Sequence, residues 1–243
     1  MVGRYFYSLL NKQKYTPSML GILVNPLFII RYKLFKYLKL SFKYLSGKVL
    51  DFGCGYSPYK SYIKCDEYVR VDKPSIYNNN GNLKSDIIFY DGKKLPFNDN
   101  TFDSIICTEV LEHIPNLDEI AKELNRVLKP KGTILISVPF TWDEHEVPND
   151  FRRFTQFGIK LLLEKNGFCI INLEKTTKTI HTITQLLTNA ISRAILTNNQ
   201  YFNYIINFIL IFPLNLFGLI LGWIISDKKK RQPLNIIVLA EKI

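Results

Sequence analysis

The sequence predicts an α/β fold: a seven-stranded, mostly parallel sheet with flanking helices and an apolar helical insertion before the last strand. Three observations carry this. Short apolar runs at 48–52, 67–72, 86–90, 102–107 and 132–138 are separated by longer connections, the spacing that a parallel sheet with crossovers needs. Helical patterns stand at 117–128 and 156–166, the second opened by Thr155 as a cap and stopped by Asn166-Gly167. The runs FCIINLEK at 168–175 and LNIIVLAEK at 234–242 supply a sixth and a seventh strand, with a long uncharged insertion between them.

The remaining elements follow in order. The first residues, MVGRYFYSLLNKQKY, lack the apolar core and cleavage site of a secretory signal, and the segment is read as uncleaved. Asn25-Pro26 predicts a helix start, Asn as cap and Pro at the first position. Lys33, Lys36, Lys39 or Leu40, and Lys43 then recur at helical spacing, a basic amphipathic helix ending near Ser46-Gly47. Residues 73–84 hold too many turn formers for a helix, and Lys129-Pro130-Lys131-Gly132 reads as a helix stop followed by a turn. Three segments result: a basic N-terminal piece over 1–46, a catalytic domain over 47–175 and 233–243, and an apolar insertion over 176–232.

Composition bounds the function. The 243 residues are 47% hydrophobic, enough for a sizeable core and incompatible with a disordered chain. The formal charge is +11, yet the first 48 residues hold nine Lys and Arg and no acid, leaving 23 bases against 21 acids in the rest. The positive charge is therefore an N-terminal property. Four cysteines at 54, 65, 107 and 169 form no CxxC pair, and no histidine stands at zinc-ligand spacing from them, so reduced thiols and no metal are expected.

The stretch VLDFGCGYSPYK at 49–60 runs from a strand into a glycine turn, the type of cradle in which backbone amides approach a nucleotide. Pro58 stands where a dinucleotide fingerprint needs its third glycine, and no GK[ST] follows, so nicotinamide, flavin and P-loop enzymes are disfavoured. From about residue 46 to 175, and again at 234–242, the chain resembles the class I S-adenosylmethionine-dependent methyltransferases, a Rossmann-like family. VLDFGCG is similar to its first motif; EYVRVDKP ends in Asp72, 19 residues after Gly53; FYDGKKLPFNDNTFDSIICTEVLEHIPN and LNRVLKPKGTILISVP resemble its later strand ends.

The resemblance implies S-adenosyl-L-methionine as cofactor. Asp51 would hold the turn and orient the cofactor's amino-acid end, Gly53, Cys54 and Gly55 would lie along its methionine and ribose, and Asp72 would grip both ribose hydroxyls. Asp91, followed by Gly92, would meet the adenine amino group, and Cys107, Thr108 and Glu109 would line the site. Bland readings stand beside these: turn chemistry for Asp51 and Asp91, an ordinary loop carboxylate for Asp72, packing for Cys54 and Cys107, a structural role for His113. Ser57 replaces a frequent glycine and is a candidate cap for a following helix.

Beyond strand five, PFTWDEHEVPNDFRRFT gathers Asp143, Glu144, His145, Glu146, Asp150, Arg152 and Arg153. His145 is the candidate base for a hydroxyl acceptor, with lid closure, acceptor binding or a solvated loop as the other readings. Phe140, Trp142 and the arginines are candidates to shape a site for a glycan or an anionic head group.

No charge occurs from Ala194 to Ser226, and a Lys-Lys-Lys-Arg run follows at 228–231. A single crossing would strand LNIIVLAEK on the far side of the bilayer from its sheet. Pro213 would divide the run into two pieces of about 12 residues, roughly 18 Å each against about 30 Å of hydrocarbon, so a hairpin lying in one leaflet is expected. These features together suggest a cytoplasmic, monotopic or peripheral enzyme at anionic lipid, acting on a small-molecule or lipid-linked acceptor. A lid or homo-oligomer interface is the other reading of the insertion. RNA methylation is disfavoured because the N-terminal bases alternate with Phe, Leu and Tyr, and a non-catalytic cofactor-binding scaffold is the rival outside enzymes.

Overall fold

The structure, a computed structural model, describes residues 12–74, 86–195, 197 and 199–243. The first eleven residues, and the turn-rich stretch from 75 on, lie outside the described residues. The chain forms two compact units: a helical unit of Met1–Tyr37 with Lys175–Asn235, and a sheet unit of Leu38–Glu174 with Ile236–Ile243. The N-terminal segment and the insertion, separate in the sequence reading, thus share one unit. The helices are α1 Phe28–Ser41, α2 Leu117–Val127, α3 Gln156–Lys165, α4 Thr179–Ile195, α5 Gln200–Ile206 and α6 Phe212–Ile224.

The sheet holds β1 Lys48–Phe52, β2 Glu67–Asp72, β3 Ile87–Phe89, β4 Phe102–Thr108, β5 Leu128–Pro139, β6 Phe168–Lys175 and β7 Asn235–Lys242, in the order β3-β2-β1-β4-β5-β7-β6. The pairs β1–β2, β1–β4, β2–β3 and β4–β5 are parallel. Parallel strands covered on both faces read as continuous apolar runs, and β1, β4 and β5 do so. Phe52, Phe102, Ile105, Leu124 and Phe168 are among the buried side chains that fill the core, each worth roughly 1.5–3 kcal/mol of transfer free energy. Thr155 caps α3 as its sequence position implied, its hydroxyl accepting from Gly158 N at 3.0 Å.

Two expectations fail here. Lys129-Pro130-Lys131-Gly132 lies inside β5 rather than in a free turn. The register jumps from Phe102↔Leu128 to Ser104↔Thr133, and Lys131 takes a φ of +61°, so the extra residues bulge out where Pro130 has no N–H to give the ladder. Nor does a helix follow the glycine turn: only a 3-10 turn, Lys60–Tyr62, stands before β2.

In the helical unit, Asn25 starts the helical region as expected, its Oδ1 accepting from Leu27 N at 2.8 Å. Lys36 is exposed, as are Lys39 and Lys43 where the chain has passed into the sheet unit, but Lys33 is only partly so; burial, with Lys36, Lys230 and Lys178 nearby, holds its ammonium below the usual lysine range. The hairpin is built otherwise than Pro213 suggested. Residues 200–224 form one continuous helix, α5 leading through a π segment, Asn207–Ile211, into α6. The wider turn, with Phe212 N–H reaching back to Asn207 O, precedes Pro213 and relieves the carbonyl that its ring would strike. The partner arm is α4: Gly218 meets Thr184, and a Cβ at Gly222 would collide with the His181 ring. Lys178 Nζ donates to Gly222 O at 2.7 Å and Ile225 O at 3.0 Å, closing the α6 end, while Asp227 Oδ2 accepts from Thr179 N and Oγ1 at 2.8 Å.

Candidate active site

The parallel registers bring the carboxyl ends of β1, β2 and β4 to one rim, where ligands of open α/β sheets bind. Gly53 N and Cys54 N both donate to Val71 O, at 2.9 and 3.1 Å, which starts the glycine turn against β2. Asp72 then fastens it: Oδ2 accepts from Gly55 N at 2.8 Å and Oδ1 from Lys73 N at 2.8 Å. From beneath, the buried Arg70 donates to Ser57 Oγ at 2.8 Å, to Gly55 O at 3.2 Å and to Asp86 Oδ1 at 2.8 Å. Ser57 therefore braces the turn, with φ +48°, and caps no helix.

Above this rim opens a cleft of about 560 Å³, open solvent included, lined by residues that include Gly53, Gly55, Asp72, Tyr90, Glu109 and His113. Glu109 takes a strained φ of +53°, and its Oε1 accepts from Ser137 Oγ at 2.7 Å.

Of the expected cofactor residues, Gly53, Gly55, Asp72 and Glu109 line the cleft, and Asp51, Cys54, Asp91, Gly92, Cys107 and Thr108 do not. Asp51 is buried behind the turn and accepts from Tyr68 OH at 2.9 Å. Cys54 places Sγ 3.8 Å from Asp72 Oδ2, and Cys107 is a core residue whose thiol burial pushes up, a packing role. Asp91 is exposed, its Oδ1 accepting from Lys93 N at 2.8 Å and Lys94 N at 2.9 Å, the turn chemistry named beside its cofactor role. Gly92 is buried with φ +86° against Lys73, and Thr108 ends β4 opposite Ser137. The two glycines also differ: a Cβ at Gly53 would collide with Val110, whereas one at Gly55 would meet open space.

The loop after β5 is self-braced. Arg153 donates to Asp150 at 2.6 and 2.7 Å and to the carbonyls of Trp142 and Asp143; Arg152 donates to Ile114 O at 2.7 Å. Arg152 thus engages backbone carbonyls, and Arg153 a carboxylate as well. The Arg153 guanidinium holds the Asp150 carboxyl well below the usual range. His145 sits on that carboxylate, Nδ1 at 3.2 Å from Asp150 Oδ2, with its ring edge-on to His113 at 4.8 Å. It does not line the cleft; His113, expected to be structural, does. Lys73, Tyr90, Val110 and Ile114 were missed as lining residues, although Tyr90 directly precedes Asp91 in a motif already singled out; Glu146, named in the loop after β5, also lines the cleft.

Burial raises the Asp51 carboxyl to about 6, against the opposing hydrogen bonds of Ser57 and Tyr68. Between the free-acid value of 3.8 and about 6, the folded chain binds a proton that the unfolded chain does not. Stability from this group is therefore full below that window and falls as pH rises through it, by roughly 2–3 kcal/mol. Asp51→Asn should flatten this part of the pH dependence. Urea midpoints of both proteins at several pH values across the window check it, and parallel curves would exclude Asp51 as the source.

Comparison with known proteins extends the geometry. Residues 50–136 match the family described as a methyltransferase domain. A protein of Methanocaldococcus jannaschii described as uncharacterised is 34% identical over 126 residues, 51% of this chain and 55% of that one. A sterol 24-C-methyltransferase of Gibberella zeae is 36% identical over 98 residues, 35% of this chain and 26% of the enzyme. The chain thus spans about half, or less, of the length of these relatives. Among solved structures, an S-adenosylmethionine-dependent methyltransferase from Mesorhizobium loti superposes with TM-score 0.54 at 14% identity, covering 88% of this chain and 100% of that one. The [4+2]-cyclase SpnF gives TM-score 0.54 at 19% identity, covering 88% and 82%. Residues 50–136 are thus similar to a methyltransferase domain, and the seven-stranded sheet has the fold of the S-adenosylmethionine-dependent methyltransferase structure on which it superposes.

Proposed function

We propose that the chain binds S-adenosylmethionine in the rim cleft and transfers its methyl group to an amphiphilic acceptor, a hydroxyl of a small lipid or lipid-linked sugar, at the inner face of the cell membrane. The observation that carries cofactor binding is Asp72, nearly buried at the end of β2, with both oxygens oriented by the turn it faces. Its charge and position suit a ribose diol, and the neighbouring Tyr90 supplies an aromatic wall. The cofactor supplies an activated methyl on sulfur; the chain's own residues must hold it in line with the acceptor oxygen, a matter of orientation.

The acceptor and location rest on the helical unit. The apolar helix over Asn207–Ile224 is long enough to cross a membrane by length and composition, yet only 28% of it is buried. Phe217, Ile220, Trp223 and Ile224 are exposed on α6, Trp223 by 85%, and their spacing puts them on one side. A hydrophobic side of this kind, in a unit that also exposes Lys36 on α1 and Lys228, Lys229 and Arg231 just beyond α6, suits insertion into one leaflet of anionic lipid. Relatives named for sterols make a small apolar acceptor plausible chemistry.

The test is incubation with radiolabelled S-adenosylmethionine and fractionated membranes. Label should enter a lipid or lipid-linked fraction; label only in RNA would overturn the acceptor class. A non-catalytic cofactor-binding scaffold is the rival outside enzymes. It would give tight S-adenosylhomocysteine binding and no label anywhere. Separately, replacing Phe217, Ile220 and Trp223 together by serine should abolish sedimentation with phosphatidylserine vesicles while leaving S-adenosylhomocysteine affinity unchanged. Unchanged sedimentation would remove the membrane from the proposal.

A further inference from the structure

We infer that Glu112, His113 and His145 form a binding site for one divalent transition-metal cation, Zn²⁺ by donor chemistry, in the wall of the cleft. The donor atoms of these three residues lie within 4.8 Å of one another, although 32 residues separate the two histidines. Two of the chain's three histidines meet here. Two imidazoles and a carboxylate are a donor set that suits zinc with one position left for water or substrate.

The second observation is Glu112 itself. It is fully buried, and neither of its carboxylate oxygens has a hydrogen-bond partner among the described residues. A buried carboxylate left so is costly, by several kcal/mol if ionised. The nearest imidazole nitrogen, His113 Nε2, stands 3.7 Å from Oε1, too far for a hydrogen bond and suited to sharing a cation with it. Arg153, the cation whose field reaches Glu112, has its guanidinium engaged by Asp150.

The third observation is how the imidazoles are held. His113 Nδ1 lies 2.8 Å from Asn149 O, and His145 Nδ1 lies 3.2 Å from Asp150 Oδ2. An acceptor at Nδ1 fixes the proton there and leaves each Nε2 with its lone pair, as in metal sites whose histidines are oriented from behind. Neighbouring Asn149 and Asp150 thus orient both ligands. A fourth donor is at hand in Glu146, whose Oε2 is 3.9 Å from His113 Nε2 and whose side chain is exposed.

This assignment departs from the sequence expectation of no metal, and it replaces the proton-transfer role expected of His145, because a metal-bound Nε2 has no lone pair left for a proton. His113 and Glu146 line the cleft, so the cation would act there as a Lewis acid on an acceptor oxygen. Only that role rests on the proposed acceptor chemistry; the site itself does not.

Calorimetry and visible spectroscopy test it on the full chain, kept reduced, with Co²⁺ and Zn²⁺ as probes and no cofactor or acceptor present. We expect one equivalent of Co²⁺ with the d–d absorption of an imidazole-bound ion, displaced by Zn²⁺, and a Tm raised by Zn²⁺. Glu112→Gln and His145→Ala should each lose that equivalent, Asp150→Asn should weaken it about 10–100-fold, and Cys169→Ser should leave it intact. Because Glu112→Gln alters a buried residue, His145→Ala, a partly exposed position, keeps the result decisive. No uptake by wild type, or an undiminished equivalent in His145→Ala, overturns the inference, whatever the fate of methyl transfer.

Discussion

Asp72→Ala should weaken S-adenosylhomocysteine binding about 100-fold in a protein that still folds. A charge-assisted hydrogen bond contributes roughly 1.5–3 kcal/mol, and each 1.4 kcal/mol is tenfold, so losing two ribose hydroxyl contacts puts the expected loss near or beyond that figure. The carboxylate also anchors Gly55 N and Lys73 N, so the variant loosens the turn and pushes affinity the same way. Asp72→Asn keeps the shape and one acceptor and should fall only about tenfold. Calorimetry beside a thermal melt separates binding from folding. A dissociation constant within threefold of wild type for Asp72→Ala would sink the cofactor assignment.

The second large effect concerns stability. Gly53 adopts φ +68°, where a side chain costs about 1–2 kcal/mol, and its missing Cβ faces Val110. Overpacking adds roughly 1–3 kcal/mol, so Gly53→Ala should destabilise by about 2–5 kcal/mol. Gly55→Ala, with φ +46° but open space ahead of it, should lose only the backbone part, about 1–2 kcal/mol. If Val110 is the obstacle, Val110→Ala combined with Gly53→Ala should return at least about 1 kcal/mol beyond additivity in urea unfolding. Additive losses would show that strain alone demands the glycine.

These two positions mark how far the sequence could be read. The strand ends were legible because parallel strands buried on both faces announce themselves as apolar runs, and Asp72 falls at the close of one. What Gly53 needs was not legible, since Val110 reaches it across the sheet from the end of β4. Arg70 escaped notice for the same reason: inside a strand it looks like an outward charge, and only the register opposite Asp51 places it under the turn. Glu112 and His145 were both visible as residues, but their meeting depends on a braced loop whose ties run through Asn149 and Asp150. Pro213 misled because a proline rule written for α-helices does not foresee a wider turn just ahead of it.

The strand order has a consequence for synthesis. β6 neighbours only β7, and the whole hairpin of α4 to α6 is translated between them. At about 5–20 residues per second, β6 waits roughly 3–12 s for its partner. During that interval the greasiest part of the molecule leaves the ribosome while β5 still offers an unfilled edge. Whatever covers α6 therefore has a chance to reach it before the sheet is complete.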